Sequence, residues 1–413
     1  MVTIVATTQS KYCGTNRDWF GAMPMTGVGA AMQVKRSELE GHNLQKALDE
    51  LHADVYRHNM APYWVVDRTK LHDEDTQVMD KRKAIPFLWT YKDQIEPLLH
   101  RSAELISTET SERRSLVLVN PGLAPSRATT TTMYVAYRLN DPREIMPPHR
   151  HSPNAIRLGL TGKANFTGVE GENITFGPGD LVLTPHDTWH NHGNQGDDNA
   201  VNLSVLDLPL VEALNSMYFE HDYTEEEEGV KIKKKMQSER FPSDYSQQIY
   251  GAGGLMPRFV SHHRGTGAAS PMYVYRYDMM REALERFKDW DGDPHEAIMI
   301  EYVDPTTGQG IFKTITFFMQ MLRPGEKTLP LKQSASLVCS PFEGSGYSQV
   351  GNKKIEWNRF DCFCVPGGYW AEHVNTSDKP AILFVASDEP TLKALSFYQK
   401  HGKNKNGDIV KLA

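Results

Sequence analysis

A chain of 413 residues with 45 Lys and Arg against 52 Asp and Glu has a formal net charge of −7, and no long basic stripe runs through it, which argues against nucleic acid as a partner. Four cysteines, Cys13, Cys339, Cys362 and Cys364, do not make a secreted disulfide scaffold, and a chain this long buries a large core without staples. No run of about 18 apolar residues marks a membrane span and no charged start with an apolar stretch marks an export signal, so neither membrane nor secretion is expected and a cytoplasmic location follows by default.

Residues 1–34, rich in Gly, Thr and Met, are expected to form an arm over the body or over a neighbouring subunit. Over 35–60, Leu39, Leu44, Leu48, Leu51 and Val55 recur at near-helical spacing and predict an amphipathic helix. A second helix is predicted over 93–106, with Ile95, Leu98, Leu99 and Leu105 on one side. From Ser115 the period changes. Short runs rich in Val, Ile, Thr and Tyr at 115–119, 129–139, 155–160, 164–169, 173–176, 180–184 and 200–206 are separated by Gly, Pro and Asp, the mark of an antiparallel sandwich or barrel. A helix over 207–219 is expected to close this unit.

Residues 222–270 change composition. Glu225–Glu228 precede Lys231, Lys233, Lys234 and Lys235; such a run is either a docking patch or a solvated linker, and the linker is the preferred reading. A helix over 277–290, strands between 297 and 387, a helix around 390–400 and a polar tail complete the chain. Cys362-Phe-Cys364 has no second pair to make a zinc site, so these thiols are expected in a strand as small apolar residues. The division is therefore an N-terminal arm with helices (1–110), a first β domain (111–221), a linker (222–270) and a second β domain (271–413).

The two β-rich halves repeat. At an offset of 182, His149-Arg150-His151 meets Leu331-Lys332-Gln333 and Gly162 meets Gly344; at 181, Phe176 meets Trp357, Asp180 meets Asp361, Pro185 meets Pro366, His192 meets His373 and Asn194 meets Asn375. Matched turns and matched apolar positions at nearly one offset predict two copies of one β domain.

In a strand, residues two apart share a face, so His149 and His151 project together, as do His190 and His192. Imidazoles from two strands can converge on one ion and leave coordination positions open for chemistry. His149, His151 and His190 are the expected ligands. Their counterparts Leu331, Gln333 and Ala371 include two residues that cannot bind metal, which predicts one metal per chain, in the first copy. Arg157, in phase with the ligands, needs an anion: a substrate carboxylate held as a fork, or an internal Asp or Glu. Tyr134, Ala136 and Arg138 alternate on the preceding strand and can line the same cavity or simply pack.

These residues resemble the cupin superfamily and, within it, the bicupin gentisate and salicylate 1,2-dioxygenases, over about residues 60–400. The resemblance rests on Pro62-Tyr63-Trp64, Pro86-Phe87-Leu88-Trp89, Arg113-Arg114 before Asn120-Pro121-Gly122, the His149-Arg150-His151 core, Trp189-His190-Asn191-His192-Gly193-Asn194, and Leu206-Asp207-Leu208-Pro209-Leu210. It implies a mainly β bicupin with flanking helices, two double-stranded β-helix (jelly-roll) barrels, and one Fe(II) per chain. The implied activity is extradiol-type cleavage of an aromatic acid, gentisate-like, between its carboxyl- and hydroxyl-bearing carbons with O2. By matched position Arg113 and Arg157 would hold the carboxylate or hydroxyl, and His192 would act as the catalytic hydrogen-bonding residue. Homo-oligomers, tetramers above all, are implied as well. The chain departs from the family's usual residues at Tyr134, Arg138, Asn202 and Ser204, which places Tyr134 and Arg138 among the substrate-binding candidates and bears on which acid is used. Two other readings stay open: a cupin oxygenase or non-oxidative enzyme acting on another aromatic intermediate, and a non-catalytic cupin that binds a small acid.

Overall fold

The computed structural model describes residues 42–58, 60, 83–106 and 114–413. By its contacts the chain forms two units, Met1–Lys81 and Arg82–Ala413. In the first, helix α1 (His42–Arg57) occupies the described part of the helix expected over 35–60, with Leu44, Leu48 and Val55 partly buried. The arm expected over 1–34 lies outside the described residues.

The second unit opens with β1 (Phe87–Trp89) and, after a π-helical turn over Tyr91–Ile95, α2 (Glu96–Leu105). Ile95 and Leu99 are buried, but Leu98 and Leu105 are exposed, so the apolar stripe is narrower than the spacing predicted. Next come β2 (Ser115–Val117) and β3 (Tyr134–Asn140). The strand predicted from residue 129 starts five residues later, because Thr129 spends its hydroxyl on the Leu118 carbonyl (2.7 Å) and on the Val135 N–H (3.0 Å). Such side-chain bonds compete with a strand ladder. Then follow β4 (Arg150–His151), β5 (Ala155–Thr161), β6 (Asn165–Val169), β7 (Glu172–Phe176), β8 (Leu181–Thr184), β9 (His190–Asn194), β10 (Ala200–Leu206), α3 (Leu208–Ala213) and β11 (Phe219–Glu220). Helix α3 is shorter than the one predicted over 207–219: Asn215 takes a left-handed conformation (φ 51°), and Phe219 pairs with His151 as a strand residue.

Residues 222–270 hold more order than a linker. The acidic and basic runs zip into a hairpin of β12 (Thr224–Glu227) and β13 (Val230–Lys233), with Glu226 opposite Lys231 and Lys233 bonded to Asp222 at 2.5 Å. Helix α4 (Tyr245–Tyr250) follows. Arg264 then lies over the Tyr273 ring, 3.9 Å from its centroid, and pairs with the buried Glu172, pinning this segment to the first β half. Beyond it run β14 (Val274–Tyr275), α5 (Tyr277–Phe287), β15 (Ile298–Glu301), β16 (Thr316–Leu322), β17 (Leu331–Gln333), β18 (Leu337–Glu343), β19 (Gly346–Val350), β20 (Lys353–Trp357), β21 (Cys362–Val365), β22 (Trp370–Asn375), β23 (Ala381–Ser387), α6 (Glu389–Ala394), β24 (Lys400–Lys403) and β25 (Ile409–Lys411). The last helix is shorter than expected, and the polar tail is a pair of strands: β24 pairs with β17 and β25 with β24.

The internal repeat is present strand for strand, β3 through β11 recurring as β16 through β24. Each half sets a large sheet against a smaller one. The large sheets run β14-β8-β5-β10-β3-β2 and β1-β21-β18-β23-β16-β15. Their edges are exchanged: β1, which precedes the first half, completes the second half's sheet, and β14, which precedes the second half, completes the first half's. The outer faces of the two large sheets share one core, in which Val135, Leu158 and Leu203 cluster with Phe317, Met319 and Phe384. Together with the exchanged edges this explains why residues 82–413 behave as one body.

Strand alternation sends the other face of each large sheet into its own jelly roll. In the second half that interior is mostly apolar: Cys339, Ile355, Trp357, Phe363, Leu383 and Val385 form a cluster of their own, beside the buried Gln320, Ser348 and His373. The equivalent positions of the first half include Arg157, Asn202 and Ser204, so the first interior is the more polar of the two. Cys339, Cys362 and Cys364 are buried and unbridged in strands, as expected; burial pushes all three thiols up, Cys364 to about 11. Among the described residues no helix is long and apolar enough to cross a membrane.

Candidate metal centre

His149 and His190 form an antiparallel bridge and exchange both backbone hydrogen bonds, at 2.9 and 3.0 Å. This brings their rings to 4.4 Å between centroids. Two residues along, on the same face, His151 lies 4.8 Å from His190, and His192 lies 5.1 Å from His149. All four are buried, none more than 3 % exposed. The approach of β9 to the 144–149 segment depends on Gly193, since a Cβ there would meet the Glu144 carbonyl oxygen at 1.9 Å.

Three of the four rings are oriented alike. Nδ1 of His149 faces the Pro147 carbonyl at 3.2 Å, Nδ1 of His151 the Pro153 carbonyl at 2.9 Å, and Nδ1 of His190 the Thr188 carbonyl at 2.9 Å. A carbonyl only accepts, so Nδ1 carries the hydrogen and Nε2 keeps its lone pair, the tautomer a metal requires. His192 is held differently. Arg157 donates to its Nδ1 at 3.2 Å and also to Thr184 Oγ1 at 3.1 Å. Burial, then the charges of Arg157 and Arg138, hold the His192 ring well below the usual imidazole range. Measured by donor atoms, the tightest group is His149, His190 and His192, all within 4.8 Å of one another. The donor set of neutral imidazoles in a buried pocket fits a borderline divalent ion such as Fe(II) or Zn(II).

The remaining predicted residues distribute around this group. Arg157 shares a row with Val182, Ser204 and Ala136 across β8, β5, β10 and β3, and so faces the interior. Tyr134 and Arg138 lie on that same face of β3, Tyr134 partly buried. Arg138 reaches Asn140 Oδ1 at 2.7 Å and lies 3.6 Å from the Glu144 carboxylate. Arg113 lies outside the described residues. Its neighbour Arg114 is buried and paired with Glu144 and with Asp141, the latter at 2.6 Å. Sequence reasoning passed over Glu144, the shared counterion of Arg114 and Arg138, and over Phe219, whose ring stacks on His149 at 5.4 Å. Phe219 falls within the helix that the sequence predicts over 207–219; only its pairing with His151 reveals its place.

Comparison with known proteins agrees with this geometry. Residues 140–206 match the cupin domain family. The chain is 33% identical to gentisate 1,2 dioxygenase 1 of Aquipseudomonas alcaligenes, over 86% of this chain and 96% of that protein. It is 32% identical to a 5-aminosalicylate 1,2-dioxygenase of Comamonas, over 87% and 91%. Salicylate 1,2-dioxygenase of Pseudoaminobacter salicylatoxidans, solved as an adduct with gentisate, superposes with a TM-score of 0.75 at 27% identity, covering 92% of this chain and 98% of that one. The chain belongs to the bicupin gentisate and salicylate 1,2-dioxygenase family of ring-cleaving dioxygenases.

Proposed function

We propose that this protein is an Fe(II)-dependent dioxygenase that opens a gentisate-like aromatic acid between the carbons bearing its ortho carboxyl and hydroxyl groups. The observation that carries the reading is the set of three imidazoles, His149, His151 and His190, whose Nδ1 atoms are each tied to a backbone carbonyl two residues away. That orientation favours them as the ligand set over the tighter group that substitutes His192 for His151, because His192 is engaged by Arg157. The first barrel, taken as residues 111–221, carries this set, and the second lacks it.

Ferrous iron, which His149, His151 and His190 would hold, would supply the redox-active Lewis acid that brings an aromatic acid and O2 into reaction. The protein's part is positioning. Arg157, on the interior face of β5, presents a guanidinium suited to a carboxylate in fork geometry; Arg113 would assist by analogy with the family. His192 offers a hydrogen bond to the substrate or to the oxygen side of the pocket. Tyr134 would pack on the ring. Arg138, turned toward Asn140 and Glu144, would act on the substrate through its field. Phe219, whose ring lies 5.4 Å from that of His149 and 5.3 Å from that of His151, gives the histidines an apolar neighbour. A homo-oligomer, with a tetramer favoured, is part of the proposal.

Gentisate, salicylate and 1-hydroxy-2-naphthoate, assayed with Fe(II) for ring opening and O2 uptake, test the reading. Stoichiometric O2 consumption with at least one of the three is expected. Iron-loaded protein inactive on all three would overturn the substrate class.

A further inference from the structure

We infer that Thr314 and Asp207 are positioning residues for the metal ligand His151, so that the second barrel, although it has lost its own ligand set, helps to orient a ligand in the first. This rests on the proposed ligand set. The argument turns on one peptide group, Pro153–Asn154. Its carbonyl accepts from Nδ1 of His151 at 2.9 Å. Its N–H donates to Oδ1 of Asp207 at 2.8 Å. A peptide unit is planar and rigid, so fixing the N–H fixes the direction of the carbonyl, and with it the rotation of the imidazole about its own bonds. Hydrogen bonds in series also polarise one another, which raises the basicity of the ring nitrogen that faces the metal.

Asp207 is itself held from the other half. It is 1% exposed, and its Oδ2 accepts from Thr314 Oγ1 at 2.5 Å and from the Asn154 side-chain amide at 3.0 Å. The Asn154 side-chain oxygen in turn accepts from the His186 N–H at 2.9 Å, closing the loop that leads from β8 toward His190. Thr314 lies just before β16, in the second half. A chain of contacts therefore runs from Thr314 through Asp207 and one peptide plane to His151.

The repeat supplies an internal control. In the second half Asp388 accepts from the Ser336 N–H at 2.8 Å and from Thr132 Oγ1, in the first half, at 2.5 Å. Asp388, Ser336 and Thr132 occupy the positions of Asp207, Asn154 and Thr314. The backbone N–H bond and the threonine bond recur, but Gln333 stands where His151 stands, so the mirror arrangement orients no imidazole. A purely structural clasp predicts equal consequences on the two sides; a positioning role predicts unequal ones.

The experiment is anaerobic competition of the full-length protein against a chelator for ferrous iron, comparing Thr314→Val with Thr132→Val. Thr314→Val is expected to bind iron about tenfold more weakly than the parent, the lower end of what outer contacts to a ligand contribute. Thr132→Val is expected to bind iron like the parent even where its thermal midpoint falls as far. Thr314→Ser, which keeps the hydroxyl, should restore parental affinity, and Asp207→Asn, which keeps one acceptor oxygen, should weaken binding in the same direction as Thr314→Val. Equal iron affinity in the two Thr→Val variants overturns the inference. A parent protein that holds no iron at all overturns the ligand assignment itself, and the inference with it.

Discussion

His149 and His190 sit directly opposite each other, joined by two backbone hydrogen bonds of 2.9 and 3.0 Å, with their rings 4.4 Å apart. The bridge closes the barrel and assembles the metal group in one stroke. The pairing fixes the backbone of both histidines opposite each other, so the fold itself brings the two rings together.

Ligand identity is separable by mutation. His151→Ala is expected to lower iron content to near zero, since removing one of three ligands leaves too few donors. His192→Gln is expected to retain iron while losing about a hundredfold or more in kcat, in the range typical of a hydrogen-bonding group at a reacting centre. Metal analysis and steady-state kinetics on the same preparations decide between this assignment and one in which His192 is the third ligand, where the two outcomes exchange.

Arg157 should affect binding of the acid more than its conversion. A charge-assisted hydrogen bond contributes about 1.5–3 kcal/mol, so Arg157→Met is expected to raise KM by about 10- to 100-fold with iron content unchanged. Unchanged KM alongside a collapsed kcat would assign Arg157 to holding His192 instead.

Glu144 is a stability prediction. It is buried between Arg114 and Arg138, and Glu144→Gln leaves two guanidiniums poorly compensated. Breaking a buried ion pair from one side costs about 3–5 kcal/mol. Chemical denaturation should show a loss of that order; a change below about 1 kcal/mol would mean that Asp141 and Asn140 suffice.

Acid sensitivity should come partly from the second barrel. His373, the counterpart of His192, is buried, and burial lowers its pKa to about 4, while Nδ1 faces Ser348 Oγ at 2.7 Å. Between about pH 6.5, the ordinary imidazole value, and pH 4 the unfolded chain binds a proton that the folded chain refuses. Stability therefore falls as pH drops through this window, by up to about 3 kcal/mol at 1.36 kcal/mol per unit, and levels off below pH 4. His373→Gln should flatten that part of the profile measured by urea denaturation; an unaltered slope would place the sensitivity elsewhere.

Much of this molecule is legible in its sequence because the repeat is. Leu331, Gln333 and Ala371 opposite His149, His151 and His190 point to two barrels and to the first as the one that would hold a metal, and the short β-rich runs between turns placed the first half's main strands, β2, β3, β5 to β8 and β10. Less legible were features settled by distant partners. The hairpin of residues 224–233 looked like solvated charge because its ion pairs appear only once the strands register. Helix α3 looked longer because the apolar residues after it serve a strand and the cover of the site. Arg138 reads from the sequence as a candidate to line the cavity, whereas Glu144, six residues on and across a turn, is shared between it and Arg114. The exchange of β1 and β14 between the sheets leaves no local trace in either strand.

The central claim, one iron per chain held by the first barrel, is tested by metal analysis of anaerobically purified protein, parent against His149→Ala. About one iron per chain in the parent and almost none in the variant is the predicted result. Two irons per chain, or an iron content that survives His149→Ala, would contradict it.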